Sequence, residues 1–149
     1  MKYIIVGAVA GGASAAARLR RMDEHDEIIL FKKGEHISYA NCGLPFYIGD
    51  VIQDRAKLFV QTAPAFNKRF RIDVRSMTEV TAIHPVEKAI TAVNGQGKVY
   101  RETYDKLILS PGAEPLRLPC RESTARVFFF TLRNVRDTDA IKNYIRLKM

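Results

Sequence analysis

Apolar and polar positions fall into short blocks along the first part of the chain. Residues 2–6, "KYIIV", form an almost unbroken apolar run, which predicts a strand buried on both faces. "GAVAGG" follows as a tight glycine turn. Residues 13–22 are rich in alanine and free of glycine and proline, and read as a helix. Residues 27–31, "EIILF", are a second buried strand. Strand, glycine turn, helix and strand within about thirty residues make a βαβ unit.

The pattern then changes period. Residues 64–71, "PAFNKRFR", read as a helix with Pro64 in its first turn. "TEVTAIHP" and "KAITAVN" alternate with period two, and "GQGKVYRETY" returns as a hairpin. This predicts a small antiparallel insertion over about 78–103. "YDKLILSPGA" reads as a buried strand ending at a proline-glycine turn, and "RVFFF" is a further short apolar run. Asn134 opens a final helix, with Asp137 three residues on as a partial capping box. The expected fold class is α/β: a Rossmann-like parallel sheet with helices plus a small antiparallel β insertion.

Composition narrows the function classes. A hydrophobic share of 47% over 149 residues suits a globular domain with a real core and excludes disorder. No apolar run is long enough to cross a bilayer. The N-terminal stretch is broken by glycines placed as in a nucleotide turn, so it is not read as a signal peptide, and a cytoplasmic protein is expected. A net charge of +8 favours anionic partners such as nucleotides and phosphorylated cofactors. No nucleic-acid motif with the required spacing is present, and neither a nucleic-acid nor a membrane partner is expected. Cys42 and Cys120 form no CxxC pair, and His25, His36 and His84 are scattered, so no disulfide scaffold or metal site is expected.

The dinucleotide fingerprint GxGxxG would place glycines at 7, 9 and 12. The chain has Gly7, Val9 and Gly12, with Ala10 and an extra Gly11 between. Gly7 suits the tight turn and Gly12 the close packing of helix on sheet. Val9 stands where a glycine normally admits the pyrophosphate, which the helix N-terminus would bind through free N–H groups. The acidic residue expected about twenty positions on, for the ribose, is replaced by Lys32, with Lys33 beside it. A lysine cannot accept hydrogen bonds from ribose hydroxyls. Either the ribose is held differently or dinucleotide affinity is reduced.

On a helical wheel Ser14, Arg18 and Arg21 share one face, while Gly12, Ala15, Ala16, Leu19 and Met22 are expected to pack on the sheet. The arginine stripe reads as a solvated helix face or as an anion site, and both readings stand. In "SYANCGLPFYIGD", Cys42 is expected at the start of a helix formed by "GLPFYI". There a helix N-terminus and nearby arginines would lower its pKa and raise its reactivity. Cys120, in "RLPCRES", carries no recognisable motif.

Taken together, "GAVAGGASAAARLRR", "ISYANCGLPFYIGD" and "YDKLILSPGA" resemble the coenzyme A-disulfide reductase and NADH oxidase branch of the FAD-dependent pyridine nucleotide-disulfide oxidoreductases. "KLFVQTAPAFNKRFRIDVR" and "TLRNVRDTDAI" extend the resemblance over essentially the whole chain. It implies FAD as cofactor, NADH or NADPH as reductant in the complete enzyme, and coenzyme A as substrate or bound thiol. Cys42 takes the catalytic role, as a mixed disulfide or a sulfenic acid. Ser14, Arg18, Arg21, Ser38 and Asn41 match coenzyme A positions, with Arg69 and Arg71 at a phosphate. Gly7, Val9, Ala10, Gly11, Gly12, Lys32, Lys33, Asn41, Glu79, Val80, Ser110 and Gly112 match flavin positions. Ser110 and Pro111 depart from the first two residues of the family's Ala-Thr-Gly turn.

Tyr47 stands where dithiol relatives carry their second cysteine, so the resemblance implies that the second sulfur or oxygen comes from outside. It further implies that residues 1–149 are the N-terminal portion of an FAD-binding domain, with the nicotinamide-binding and interface domains absent. The complete enzyme is expected to be a homodimer acting on a small-molecule thiol or disulfide, and this chain alone to be inactive. Two alternatives remain open: an NADH oxidase or peroxidase cycling Cys42 through sulfenic acid, and a non-catalytic nucleotide- or coenzyme A-binding remnant.

Overall fold

The computed structural model describes residues 1–116 and 130–148. Cys120 and all of "RVFFF" but Phe130 lie outside them. The chain divides into two compact units. One comprises Met1–Tyr39 and Phe59–Gly112, the other Ala40–Leu58 and Ala113–Met149.

The first unit holds seven strands: β1 (Lys2–Val6), β2 (Glu27–Phe31), β3 (Asp73–Arg75), β4 (Thr78–His84), β5 (Ala89–Asn94), β6 (Val99–Thr103) and β7 (Lys106–Leu109). It also holds the helices α1 (Ala10–Met22) and α3 (Ala63–Phe70). Strands β3-β2-β1-β7 form a parallel sheet in that order, and β4-β5-β6 an antiparallel one.

The apolar run in β2 serves two cores at once. Ile28 and Leu30 pack with Ile5, Ala13, Ala16, Ala17, Phe66 and Ile72 against α1 and α3. Ile29 and Phe31 point to the other face and pack with Ile4 of β1 and with Ile90 and Ala92 of the antiparallel sheet. Each fully buried Ile or Phe contributes about 1.5–3 kcal/mol. This double burial is why both central strands read as continuous apolar runs. A charge cluster reinforces the contact between the sheets. Glu102 of β6 accepts from Lys2 Nζ and from Arg75 Nη1, each at 2.6 Å, and Arg75 Nε also reaches Asp73 at 2.8 Å. Partial burial works against ionisation of Glu102, but the two cations hold its pKa below the usual value.

Three readings are corrected. Strand β7 is not buried: among the described strands it lies at the sheet edge, and Leu109 is exposed. Helix α1 begins at Ala10 rather than residue 13, directly from the glycine turn. Met22 is 69% exposed, and Arg20 takes a place on the buried face with Ala13, Ala16 and Ala17. Arg20 can do so because its guanidinium donates to backbone carbonyls. Nε reaches Phe70 O at 2.8 Å, Nη1 reaches Asp23 O and Glu24 O, and Nη2 reaches Arg71 O at 3.0 Å.

The described residues of the second unit form a 3-10 turn (Asn41–Gly43), α2 (Leu44–Ile48), a further 3-10 turn (Arg55–Leu58) and α4 (Val135–Lys148). Helix α4 opens with a reciprocal capping box. Asp137 N donates to Asn134 Oδ1, and Asn134 N donates back to Asp137 Oδ2, both at 3.1 Å. No helix among the described residues is long and apolar enough to cross a membrane.

Candidate functional site

The glycine turn lies where the carboxyl ends of β1, β2 and β7 meet. Gly7 N donates to Phe31 O at 2.9 Å, Ser110 N donates to Val6 O at 2.7 Å, and Ser38 N donates to Ala8 O at 3.0 Å. Gly7 has φ +101°, and a Cβ there would lie 1.9 Å from Ser110 O. A Cβ on Gly12 would lie 1.7 Å from Gly7 O, so only glycine lets α1 start this close to the turn. A Cβ on Gly11 would meet Ser110 Oγ at 2.6 Å. Val9 occupies the N-cap of α1 at φ −90° and ψ −116°, a negative φ that does not demand glycine but a ψ outside the main α and β regions.

These features fit a dinucleotide pyrophosphate. The first turn of α1 has no side-chain cap and no acidic residue, while Ala10 and Gly11 are exposed. Its N–H groups therefore face an open surface suited to an anion. The ribose end fits less well. Lys32 directly follows β2, with its backbone pinned by Arg75 O and Thr78 N. Lys33 Nζ engages Glu79 at 2.9 Å. No carboxylate occupies the ribose position of the fingerprint. Val80 packs its side chain on the second core, and Gly112 has φ +81°.

Helices α1 and α3 both end on a basic cavity of about 340 Å³, lined by Arg20, Arg21, Glu24, Arg69, Phe70 and Arg71. The structure thus gathers Arg21, Arg69 and Arg71. Ser14 and Arg18 are exposed on the same helix but do not line the cavity. Arg20 escaped the sequence reading. Its signal was a charged residue on the alanine face of the wheel.

Cys42 is an exposed free thiol, with exposed Asn41 before it and buried Gly43 after it. It sits inside the 3-10 turn, two residues before α2, and α2 is only five residues long. The expected thiol at a helix mouth is corrected accordingly, since so short a helix offers little dipole. A Cβ on Gly43 would meet Leu58 at 3.2 Å and Ile52 at 3.4 Å, so the turn is packed tightly beneath the thiol. Helix α4 braces this region. Lys142, 3% exposed, donates through Nζ to Tyr47 O at 2.6 Å and Asp50 Oδ1 at 2.7 Å, and lies 3.7 Å from the centre of the Tyr47 ring. Arg55 forms a two-pronged pair with Asp139, at 3.0 Å to Oδ1 and 2.8 Å to Oδ2. Neither brace was read from the sequence, because the partners lie more than eighty positions apart. Among the described residues no group of His, Cys, Asp or Glu could hold a metal ion.

A parallel sheet with a glycine turn at its carboxyl edge, opening a helix, defines a Rossmann-type dinucleotide-binding domain. The family model described as pyridine nucleotide-disulphide oxidoreductase matches residues 1–147, and the chain belongs to that family. It is 45% identical over 145 residues to a coenzyme A disulfide reductase of Staphylococcus epidermidis, a match covering 97% of this chain and 32% of the relative. The structure superimposes on that of reduced CoADR-RHD from Bacillus anthracis with a TM-score of 0.94 and 54% identity, over 99% of this chain and 27% of the other. An NAD-dependent persulfide reductase from A. fulgidus matches at TM-score 0.88 and 28% identity, over 99% of this chain and 27% of the other. The chain therefore spans about a third of the length of the curated relatives it matches.

Proposed function

We propose that this chain is the N-terminal portion of the flavin domain of an NAD(P)H-dependent oxidoreductase that reduces coenzyme A disulfide, or a related persulfide, through the single thiol of Cys42. The observation that carries the reading is the exposed Cys42 in a packed turn, on a chain whose relatives are named coenzyme A disulfide reductases. Gly7, Gly11, Gly12 and the first turn of α1 would hold the pyrophosphate of FAD, which when bound supplies two electrons drawn from NAD(P)H. Asn41, Glu79, Val80, Ser110 and Gly112 are assigned to the same cofactor.

The thiolate of Cys42 attacks one sulfur of coenzyme A disulfide. A bond forms between Cys42 Sγ and that sulfur, the original S–S bond breaks, and one coenzyme A thiolate leaves. Two electrons and a proton then return Cys42 to the thiolate and release the second coenzyme A as thiol. Ser14, Arg18, Arg21, Ser38, Asn41, Arg69 and Arg71 would hold the coenzyme A. The complete enzyme would be a cytoplasmic homodimer.

Incubation of the chain with coenzyme A disulfide, followed by peptide mass mapping, tests the assignment. The expected result is one coenzyme A adduct on Cys42, reversed by a thiol reductant and lost in Cys42→Ser. Preferential modification of Cys120, or no adduct, would sink it.

A further inference from the structure

The basic cavity at the ends of α1 and α3 contains two charged residues that no flavin or coenzyme A assignment uses, Arg20 and Glu24. Arg20 is only 8% exposed, and its partners are four carbonyl oxygens rather than a carboxylate. Two of these, Asp23 O and Glu24 O, lie just past the end of α1. The other two, Phe70 O and Arg71 O, lie at the end of α3. Orphan carbonyls at two helix C-termini thus converge on one guanidinium. That fork fixes the spacing of the helix ends, and therefore of the side chains beside it: Arg21 and Glu24 on one, Arg69 and Arg71 on the other.

The end of α3 is held in an unusual shape. Arg71 caps the helix in the left-handed region, φ 49°, where glycine is the usual residue. Arg71 N donates to Asn67 O at 2.7 Å, and Asn67 Nδ2 donates to Ile72 O at 2.8 Å. Together with the Arg20 bond to Arg71 O, these contacts hold a non-glycine residue in a conformation that costs about 1–2 kcal/mol. The strain keeps a charged side chain at the cavity rim. That side chain is engaged by Glu24, at 3.3 Å, and both partners are exposed, 67% and 76%. Such a pair is weak and easily exchanged for a stronger anion.

From these contacts we propose that Arg20 is the positioning residue of a phosphate-binding cavity, and that Glu24 is its built-in competitor. An arriving phosphate monoester takes the place of the Glu24 carboxylate on Arg71 and is met by Arg21 and Arg69. Arg20 keeps the helix ends at the separation this requires and adds a buried positive charge behind them. A doubly charged phosphate displaces Glu24 more effectively than a diester, so the cavity selects a terminal monoester over an internal phosphate. The inference rests on the coenzyme A reading above and adds the means by which the nucleotide's terminal phosphate is chosen.

The test is calorimetric titration of the full chain with coenzyme A and with dephospho-coenzyme A, which lacks only the terminal monoester. The wild type is expected to favour coenzyme A. Glu24→Gln removes the competitor and should widen that preference by roughly two- to fivefold, the value of an exposed ion pair. Arg20→Lys keeps the charge but cannot span four carbonyls, and should shrink the preference by roughly tenfold while leaving dephospho-coenzyme A affinity unchanged. A purely structural defect would weaken both ligands equally. Where Arg20→Lys shows no cooperative melt, Glu24→Gln, an exposed change, decides. An unaltered preference in a folded variant overturns the inference and leaves the coenzyme A reading standing. Failure of the wild type to bind either ligand overturns both.

Discussion

The two units of the chain are stabilised in different ways. The glycine-turn unit buries apolar side chains on both faces of a parallel sheet, with Ile4, Ile5, Ile29 and Leu30 fully enclosed. Among its described residues the cysteine unit fully or almost fully buries few large apolar groups, including Leu44, Leu58 and Val135. It relies instead on the α4 capping box, the Arg55–Asp139 pair and the buried Lys142. The contrast suits the proposed chemistry. A cofactor cradle needs a rigid backbone, whereas a thiol that must admit a bulky disulfide belongs on a surface turn held by a few replaceable contacts.

The most damaging way to break this comparison is at Gly12. Adding a methyl group there drives a Cβ to 1.7 Å from Gly7 O, a backbone atom that cannot move without dislodging β1. We expect Gly12→Ala to cost about 3 kcal/mol or more, a large part of the stability of a domain this size. Thermal unfolding followed by circular dichroism reads this directly. A melt within a few degrees of wild type would show that the turn is softer than its geometry implies.

Much of the first unit was legible because its signals are local. The apolar runs in β1 and β2, the period-two strands from Thr78 to Thr103 and the glycines at 7 and 12 all act within a few residues. The edge position of β7 was not legible, since a short apolar strand reads alike whether a neighbour covers it or not. In the second unit Asn134 and Asp137 were legible as a local cap, and Cys42 stood out by resemblance. Lys142 and Arg55 were not, because a basic residue finding an acid more than eighty positions away leaves no periodic trace. Arg20 escaped for a related reason. Its partners are backbone carbonyls, which have no identity in sequence.

A smaller effect should come from Lys142→Met, which fills the same buried volume without the charge. Tyr47 O loses its short bond and keeps the longer one from Asp50 N at 3.4 Å, and Asp50 loses its partner. Because Asp50 is 67% exposed, water compensates most of that second loss. The expected cost is about 1 kcal/mol, chiefly from the loss of the shorter of the two bonds to that carbonyl. Hydrogen exchange sharpens the comparison here. Amides of α2 and the turn at Asp50 should lose protection, while those of β1 and β2 keep theirs. Equal loss in both units would mean that Lys142 supports the whole chain and not the cysteine region alone.

The smallest effect concerns pH. The hydrogen bond from Lys142, and then its charge, hold the Asp50 carboxyl below the usual aspartate value. A carboxyl with a depressed folded pKa contributes stability that is fully present above its unfolded value, near about 3.9, and is lost as pH falls through the folded value. Acidification below about pH 4 should therefore loosen the turn after α2, and the same change should be blunted in Lys142→Met. The first unit has its own acid-sensitive group, since Glu102 is also depressed by Lys2 and Arg75. The two can be separated by following the side-chain carboxyl carbons of Asp50 and Glu102 by NMR as pH is lowered. Lys142→Met should move the Asp50 midpoint upward and leave that of Glu102 where it was. An Asp50 midpoint unchanged by the substitution would mean that the contact seen at 2.7 Å is not maintained in solution. The brace on the cysteine turn would then reduce to Arg55 and Asp139.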